Sequence, residues 1–294
     1  MDIQKYLSES KQLVDECLGQ LLPPGDESPP TIHKAMRHSV FAGGKRVRPI
    51  LVLAAGESLS GDRATLLHLG AGIEMIHTYS LIHDDLPALD NDDLRRGVPT
   101  CHKAFGEAMA ILAGDALMTR GYQVLADLPG IPASSSLAII REVAYATGTV
   151  KGMIGGQVVD LESEGKPISA PVLEYIHQSK TGALLTACTR CGAIAAGASE
   201  AQLNALTCYG RKIGLVFQIV DDILDVTASS EKLGKTAGKD EKVKKATYPA
   251  LYGIDSSRRK AQELVNEAVE DIAGLGPAAE PLRSIAQFVY SRTA

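Results

Sequence analysis

The sequence predicts an all-α fold: a single domain in which a bundle of long helices surrounds a central cavity. Apolar residues recur at intervals of three and four residues along almost the whole chain. The breaks between these periodic segments are rich in Pro, Gly and Ser, and no segment alternates apolar and polar residues as a half-buried strand does. The chain has 294 residues, of which 45% are hydrophobic, enough for a sizeable core. We therefore expect residues 1–294 to form one helical domain.

The helices follow one another with short interruptions. The first is predicted over residues 2–22, where Leu7, Val14 and Leu18 share one face, and it ends at the Pro- and Gly-rich residues 22–30. The remaining helices are predicted over residues 31–42, 46–58, 63–84, 107–127, 134–152, 171–198, 200–226, 257–273 and 280–292.

Composition limits the possible functions. A net charge of -5 argues against nucleic acid as the main partner, because nucleic-acid-binding surfaces are usually basic. The five cysteines do not form a disulfide framework in a chain of this length, and we expect Cys188 and Cys191 to be reduced thiols packed in a helix. No stretch approaches the roughly 18 apolar residues of a membrane span, and the polar N-terminus lacks the apolar core of a signal peptide. A cytoplasmic location is expected.

Two aspartate clusters stand out from this background. Residues 84–90 read Asp-Asp-Leu-Pro-Ala-Leu-Asp and residues 221–225 read Asp-Asp-Ile-Leu-Asp, each after apolar helical sequence. Two unit charges about 4 Å apart repel by about 4 kcal/mol at an effective dielectric of about 20, so such clusters favour a bound cation. Oxygen ligands without His or Cys point to Mg²⁺, with Mn²⁺ as a substitute, rather than zinc. The candidate metal ligands are Asp84, Asp85, Asp90, Asp221, Asp222 and Asp225.

The two clusters differ in geometry. On a helix that turns about 100° per residue, the second cluster and Gln218 occupy one face about 100° wide. The first cluster is spread around the helix, so Pro87 must end or distort it and let the chain fold back to present Asp90. One such cluster is as often a helix end or a solvated turn, whereas two in one helical chain favour a metal site.

Basic residues beside these clusters indicate an anionic substrate, for which a diphosphate or triphosphate is the usual candidate. Residues 43–48 read Gly-Gly-Lys-Arg-Val-Arg, a basic turn that enters a helix and is suited to phosphate. Arg95 and Arg96 follow the first cluster closely. His77 lies on the same helical face as Asp84, although a lone His is more often a packed or surface residue. Three lysines lie at predicted helix ends or in loops, where each by itself is more often a surface charge: Lys180, Lys235 and Lys245. No P-loop is present, so nucleotide triphosphatase chemistry is unsupported.

Residues 80–97 resemble the first aspartate-rich motif of the trans-isoprenyl diphosphate synthases, and residues 217–225 resemble their second. The first motif carries two extra residues, which is similar to the bacterial farnesyl and plant-type geranylgeranyl branches. The likeness covers essentially the whole chain in order and includes residues 44–49, 155–160, 180–185 and 233–240.

The resemblance implies the all-α isoprenoid synthase fold, a homodimer, and a Mg²⁺-dependent head-to-tail condensation of an allylic diphosphate with isopentenyl diphosphate. It assigns the isopentenyl diphosphate site to Lys45, Arg48, His77 and Arg96. It assigns the allylic diphosphate site to Arg95, Lys180, Thr181, Gln218, Lys235 and Lys245. The resemblance also implies that Asp222 and Asp225 would act on the metal through water. The aspartates that would bind the metal directly are Asp84, Asp85, Asp90 and Asp221. The residues expected to carry the reaction are Asp84, Asp85, Asp90, Arg95, Lys180, Thr181, Gln218, Asp221 and Lys235.

Product length depends on the residue five before the first Asp in this family, which is Tyr79 here, about 7.5 Å along the helix from Asp84. A bulky ring at that position resembles the farnesyl enzymes, so we expect farnesyl diphosphate, with geranylgeranyl diphosphate as the alternative. Helical phase by itself favours Ser80, which lies closer to the face of Asp84.

Three other classes fit less well. A non-catalytic regulatory subunit of a prenyl synthase typically lacks one aspartate cluster, whereas this chain keeps both. A metal-dependent phosphohydrolase would use the pair His83 and Asp84 but has no role for the second cluster, and a terpene cyclase would replace that cluster.

Two departures from the family pattern remain: Arg190 has no evident role, and the single basic residue near the C-terminus, Arg292, leaves the contribution of that end open.

Overall fold

The computed structural model describes residues 1–227 and 247–292, and in this part of the chain the fold is all-α. The helices are α1 (Ile3–Leu21), α2 (Pro30–Val40), α3 (Val47–Glu57), α4 (Arg63–Asp84), α5 (Cys101–Phe105), α6 (Glu107–Ala126), α7 (Ala133–Thr147), α8 (Met153–Ser163), α9 (Ala170–Ile176), α10 (Ala183–Ala195), α11 (Glu200–Thr227), α12 (Tyr248–Tyr252), α13 (Ile254–Asp271) and α14 (Glu280–Ser291). A π-helical turn (His177–Gly182) joins α9 to α10, and two 3₁₀ turns (Ala273–Leu275 and Pro277–Ala279) join α13 to α14. Within the described ranges, no helix is long and apolar enough to cross a membrane.

Most predicted helices are confirmed, and their ends have local causes. Asp2 caps α1 by accepting a hydrogen bond from the Lys5 backbone N–H at 3.1 Å. Asp62 caps α4 in the same way, with 2.8 Å to the Thr65 backbone nitrogen. Helix α4 ends at Asp84, three residues before Pro87, so the predicted break near that proline is confirmed.

Some elements differ from the prediction. The helix predicted over residues 134–152 ends at Thr147, and the unpredicted α8 begins only at Met153, after a break that contains the left-handed Lys151. The helix predicted over residues 171–198 is interrupted by the π-helical turn. A short antiparallel hairpin of β1 (Leu94–Arg95) and β2 (Val98–Pro99) was also not predicted, because strands of two residues are too short to show an alternating pattern.

Helix α4 lies at the centre of the core, in contact with both α3 and α6. Glycine allows the close approach to α6, since a Cβ on Gly121 would lie 2.5 Å from Ile76 Cγ1. A Cβ on Gly70 would lie 3.0 Å from the Cβ of Pro49 on α3. Each fully buried aliphatic side chain of α4 contributes about 1.5–3 kcal/mol by leaving water. The largest of them are Leu66, Leu69, Ile73, Met75 and Ile76.

Helix α10 carries the residues that the sequence left unexplained. The Arg190 guanidinium donates to both carboxylate oxygens of Glu142 on α7, at 2.7 and 2.6 Å, and to the Thr207 hydroxyl on α11 at 2.7 Å. Arg190 therefore connects three helices. Cys188 and Cys191 are free thiols with no exposed surface, and burial raises the pKa of Cys188 to about 12.

Candidate active site

The first aspartate cluster lies where α4 ends and the chain reverses. The Asp90 backbone N–H donates to the Asp84 carbonyl oxygen at 2.8 Å, which confirms the predicted fold-back. Burial raises the pKa of the Asp84 carboxyl, and the charge of Asp90 acts in the same direction, whereas the Lys180 ammonium lowers it. Two carboxylates brought together in this way repel each other, and a bound cation would relieve that repulsion.

Asp85 is paired with Arg95 of the hairpin. Asp85 is 3% exposed, and Arg95 Nε lies 2.8 Å from each of its carboxylate oxygens. Burial raises the Asp85 pKa, and the Arg95 guanidinium opposes that effect. The hairpin is fastened to α2 by His38, whose Nε2 lies 2.8 Å from the Pro99 carbonyl oxygen. Arg95 therefore lies beside the first cluster, as predicted, but its closest partner is a carboxylate that the sequence assigned to metal.

The second cluster and Gln218 lie on α11, an uninterrupted helix, which confirms the predicted shared face. Asp221 Oδ1 accepts a hydrogen bond from Arg292 Nη2 at 2.9 Å, and the Arg292 guanidinium carbon lies 5.3 Å from the centre of the Phe217 ring. The C-terminal end of the described chain therefore reaches the second cluster.

Asp222 has a different environment. Its Oδ2 accepts a hydrogen bond from the Tyr248 backbone N–H at 2.7 Å and lies 3.3 Å from His177 Nε2. The side chain of Asp222 is 13% exposed, against 38% for Asp221. Asp222 thus holds α12 and the π-helical turn against α11, while Asp221 is the more accessible of the two carboxylates.

The π-helical turn presents Lys180 and Thr181. Lys180 Nζ donates to Asp160 Oδ2 of α8 at 2.8 Å, a pairing that the sequence did not predict. A Cβ on Gly156 would lie 2.3 Å from the Lys180 backbone nitrogen, so glycine is needed where α8 meets this turn. The Thr181 hydroxyl donates to Gln218 Oε1 at 2.6 Å, which brings together two residues that were predicted to act jointly.

The basic turn before α3 lies against α4. Arg48 Nη1 donates to His77 Nε2 at 3.0 Å, and the Arg96 guanidinium donates to the Gly43 carbonyl oxygen. Burial lowers the pKa of His77 well below its ordinary value, with a further contribution from the charge of Arg48, so the imidazole is neutral near pH 7.

That contact also determines which ring nitrogen of His77 carries the proton. A guanidinium only donates, so Nε2 must accept and Nδ1 holds the hydrogen. Among the described residues, His77 Nδ1 and Arg48 Nε are buried without a hydrogen-bond partner. Buried donors of this kind normally have partners, and an anion would supply acceptors for both. The pKa of Lys45 is lowered by partial burial and by the charge of Arg292, and Asp221 opposes that shift, so the basic turn also lies near the second cluster.

Two residues are candidates for the gate, the side chain that limits product length, and they lie on different faces of α4. Tyr79 is 8% exposed, and its ring meets the His83 ring edge to face at a centroid distance of 5.7 Å. A Cβ on Gly114 of α6 would lie 2.2 Å from His83 Nε2, so Tyr79 is on the side of α4 that packs on α6. Burial raises the pKa of Tyr79 to about 12, and Tyr122 of α6 adds to the shift. The Ser80 hydroxyl donates to the His77 carbonyl oxygen at 2.8 Å.

Lys235 and Lys245, predicted for the allylic diphosphate, lie outside the described residues. Within the described ranges, no three His, Cys, Asp or Glu side chains already converge in an arrangement that would hold a metal ion. The donor set nevertheless suits Mg²⁺, because the carboxylates of Asp84 and Asp90 repel each other at the end of α4 and all the candidate ligands are oxygens.

Comparison with known proteins identifies the family. The model of the family described as "Polyprenyl synthetase" matches residues 29–275. A dimethylallyltranstransferase of Fischerella ambigua is 47% identical over 294 residues, which cover 99% of this chain and 84% of that protein. A geranylgeranyl diphosphate synthase of Cyanophora paradoxa is 46% identical over 289 residues, 98% of this chain and 95% of that protein.

A solved structure agrees with this result. The crystal structure of an FPP/GFPP synthase from Zymomonas mobilis matches with a TM-score of 0.89 at 37% identity, and the match covers 98% of this chain and 99% of that one. The family model and the relatives span the two aspartate clusters and the basic turn together. This chain therefore belongs to the polyprenyl synthetase family, that of the trans-isoprenyl diphosphate synthases.

Proposed function

We propose that this chain is a farnesyl diphosphate synthase, which condenses isopentenyl diphosphate with dimethylallyl or geranyl diphosphate. Membership of the family makes it a prenyltransferase. The observation that carries the proposal for the isopentenyl diphosphate site is the pair Arg48 and His77, whose buried donors Nε and Nδ1 lack partners in the described structure. A diphosphate placed beside them would accept hydrogen bonds from both groups.

The two substrates would occupy different sides of the site. Lys45, Arg48, His77 and Arg96 would hold isopentenyl diphosphate, whereas Arg95, Lys180, Lys235 and Lys245 would hold the allylic diphosphate. The proposed ligands of Mg²⁺ are Asp84, Asp85, Asp90 and Asp221, and the bound ion would supply positive charge to the departing diphosphate. Asp222 and Asp225 would act on the Mg²⁺ ion through water.

The reaction needs no protein nucleophile. The basic side chains stabilise negative charge as the allylic carbon–oxygen bond breaks, and the isopentenyl double bond then attacks the allylic cation. Thr181 and Gln218 support that cation with their oxygen atoms, which the hydrogen bond of 2.6 Å between them already orients. The released diphosphate is the base that removes the final proton.

The bulk of Tyr79 supports a C15 product. Its ring is buried on the side of α4 that faces α6, where it would block the growing prenyl chain. Geranylgeranyl diphosphate is the second candidate product, since the Cyanophora paradoxa relative is named as a geranylgeranyl diphosphate synthase. A non-catalytic regulatory role is less well supported, because both aspartate clusters are present.

A homodimer is the proposed assembly. Ile111 and Leu112 of α6 are 46% and 53% exposed, and such apolar surface suits a contact with a second copy. Light scattering measures the oligomeric state, and Ile111→Glu is expected to give a monomer. An unchanged dimer would show that the interface lies elsewhere.

The function is tested with purified protein, Mg²⁺, isopentenyl diphosphate, and dimethylallyl or geranyl diphosphate as the second substrate. Products are dephosphorylated, extracted and sized by chromatography, and farnesol is the expected result. Release of diphosphate without a new carbon–carbon bond would contradict the synthase proposal, whereas geranylgeraniol would contradict only the proposed chain length.

A further inference from the structure

Arg46 lies in the basic turn between Lys45 and Arg48, but its side chain points into the protein. The side chain is 2% exposed. Its guanidinium donates to three partners: Asp15 Oδ1 at 2.7 Å, Glu74 Oε1 at 3.1 Å and the Val40 carbonyl oxygen at 2.6 Å. One side chain therefore joins α1, the last residue of α2 and the middle of α4 to the turn.

The backbone of the turn needs such support. Arg46 has φ 51° and ψ 36°, in the left-handed region that residues with a side chain rarely adopt. Gly43 and Gly44 precede it with φ of 100° and 121°. Helix α3 begins at the next residue, Val47, so the conformation of Arg46 sets the direction in which α3 leaves the turn. Its three side-chain contacts hold a conformation that the backbone would otherwise leave.

The contact with Glu74 also sets the spacing between the turn and α4. Glu74 lies three residues before His77, and therefore about one helical turn away on the same side of α4. Arg46 binds Glu74 at 3.1 Å and Arg48 binds His77 at 3.0 Å, so two adjacent contacts fix the turn against α4. Without the first contact, only the pair of Arg48 and His77 would remain of these two contacts with α4.

Arg46 remains charged in this environment. Burial opposes its charge, but the carboxylates of Glu74 and Asp15 outweigh that effect, and the Arg46 pKa is raised above its ordinary value. Each of the three guanidinium nitrogens already donates to a protein acceptor and the side chain is buried, so Arg46 is not available to a substrate. It differs in this respect from Arg48, whose Nε is buried without a partner among the described residues.

We propose that Arg46 is a positioning residue for isopentenyl diphosphate: it holds Lys45 and Arg48 at the spacing from His77 that binds the diphosphate. This rests on the proposed function. The role is specific to one substrate, since the groups assigned to the allylic diphosphate lie on other elements, such as the hairpin and the π-helical turn.

The test is Arg46→Lys, which keeps the charge but cannot reproduce the three-way contact. We expect KM for isopentenyl diphosphate to rise about tenfold while KM for geranyl diphosphate stays within about twofold, because only one subsite loses its geometry. Arg190→Lys is the matched control. It disrupts a similar forked contact, with Glu142 on α7, and should leave both KM values unchanged.

The outcomes separate the proposal from a purely structural role. An unchanged KM for isopentenyl diphosphate in folded Arg46→Lys, an equal rise in both KM values, or the same shift in Arg190→Lys would each overturn it. If Arg46→Lys does not fold, Glu74→Gln and Asp15→Asn each remove one charge from the contact. Their KM values for the two substrates are then compared in the same way.

The proposed function can fail independently of this inference. If the wild-type protein forms no condensation product, calorimetric titration with isopentenyl diphosphate still compares it with Arg46→Lys. Weaker binding by the variant would support the positioning role, and equal binding or no binding by either protein would overturn it.

Discussion

Replacement of Tyr79 by alanine should lengthen the product. The ring is buried between α4 and α6, about 7.5 Å along the helix from Asp84, and under the proposed function its removal would open space for a longer prenyl chain. Burial of one more five-carbon unit is worth about 4 kcal/mol at about 0.8 kcal/mol per carbon, or about a thousandfold in equilibrium. That is enough to make the C20 product predominate over C15. The same deletion costs about 3–5 kcal/mol of stability, so folding must first be checked by circular dichroism.

The assay sizes the dephosphorylated products with isopentenyl diphosphate in excess over geranyl diphosphate. Ser80→Phe is the companion variant, because helical phase favours position 80 as the gate. If Tyr79 is the gate, Tyr79→Ala yields geranylgeraniol and Ser80→Phe leaves farnesol predominant. A product that stays at C15 in folded Tyr79→Ala would refute the reasoning. A shorter product from Ser80→Phe would show that Ser80, rather than Tyr79, is the gate.

Three further predictions follow from single contacts. Asp84→Ala and Asp221→Ala should each remove most of the activity and weaken Mn²⁺ binding measured by calorimetry; near-normal turnover in either would contradict the metal assignment. His77 has a lowered pKa in the folded state, so the unfolded chain binds the extra proton and stability falls as pH drops below about 6.5, by up to about 1.4 kcal/mol per pH unit. His77→Gln should flatten that slope in urea titrations between about pH 7 and pH 5, and an unchanged slope would show that another group carries it. The Tyr209 hydroxyl is buried and donates to the Leu282 carbonyl oxygen at 2.7 Å, so Tyr209→Phe should cost about 1–2 kcal/mol of unfolding free energy, measured by urea, with both KM values unchanged. A change in KM would mean that this contact reaches the active site.

Local features explain how much of the fold could be predicted. The helical class and most helix positions follow from the spacing of apolar residues, which is a property of sequence segments. The reversal after Asp84 was predicted from Pro87, because proline cannot continue a helix. The second cluster was predicted to share a face because helical geometry fixes the directions of residues three and four apart. Helix α8, the hairpin and the π-helical turn were missed, because tertiary packing rather than a local pattern stabilises such short or irregular elements.

The sequence by itself determined the fold class, the two acidic clusters and the basic residues that accompany them. Only the tertiary structure decided which charges meet. It forms three pairs of opposite charge: Asp85 with Arg95, Lys180 with Asp160, and Asp221 with Arg292. The partners in the last pair lie 71 residues apart in the chain. It also turns Arg46 into the protein and places its near neighbour Arg48 against His77. These choices depend on how helices distant in sequence pack together, and helical periodicity describes only the face that each helix presents.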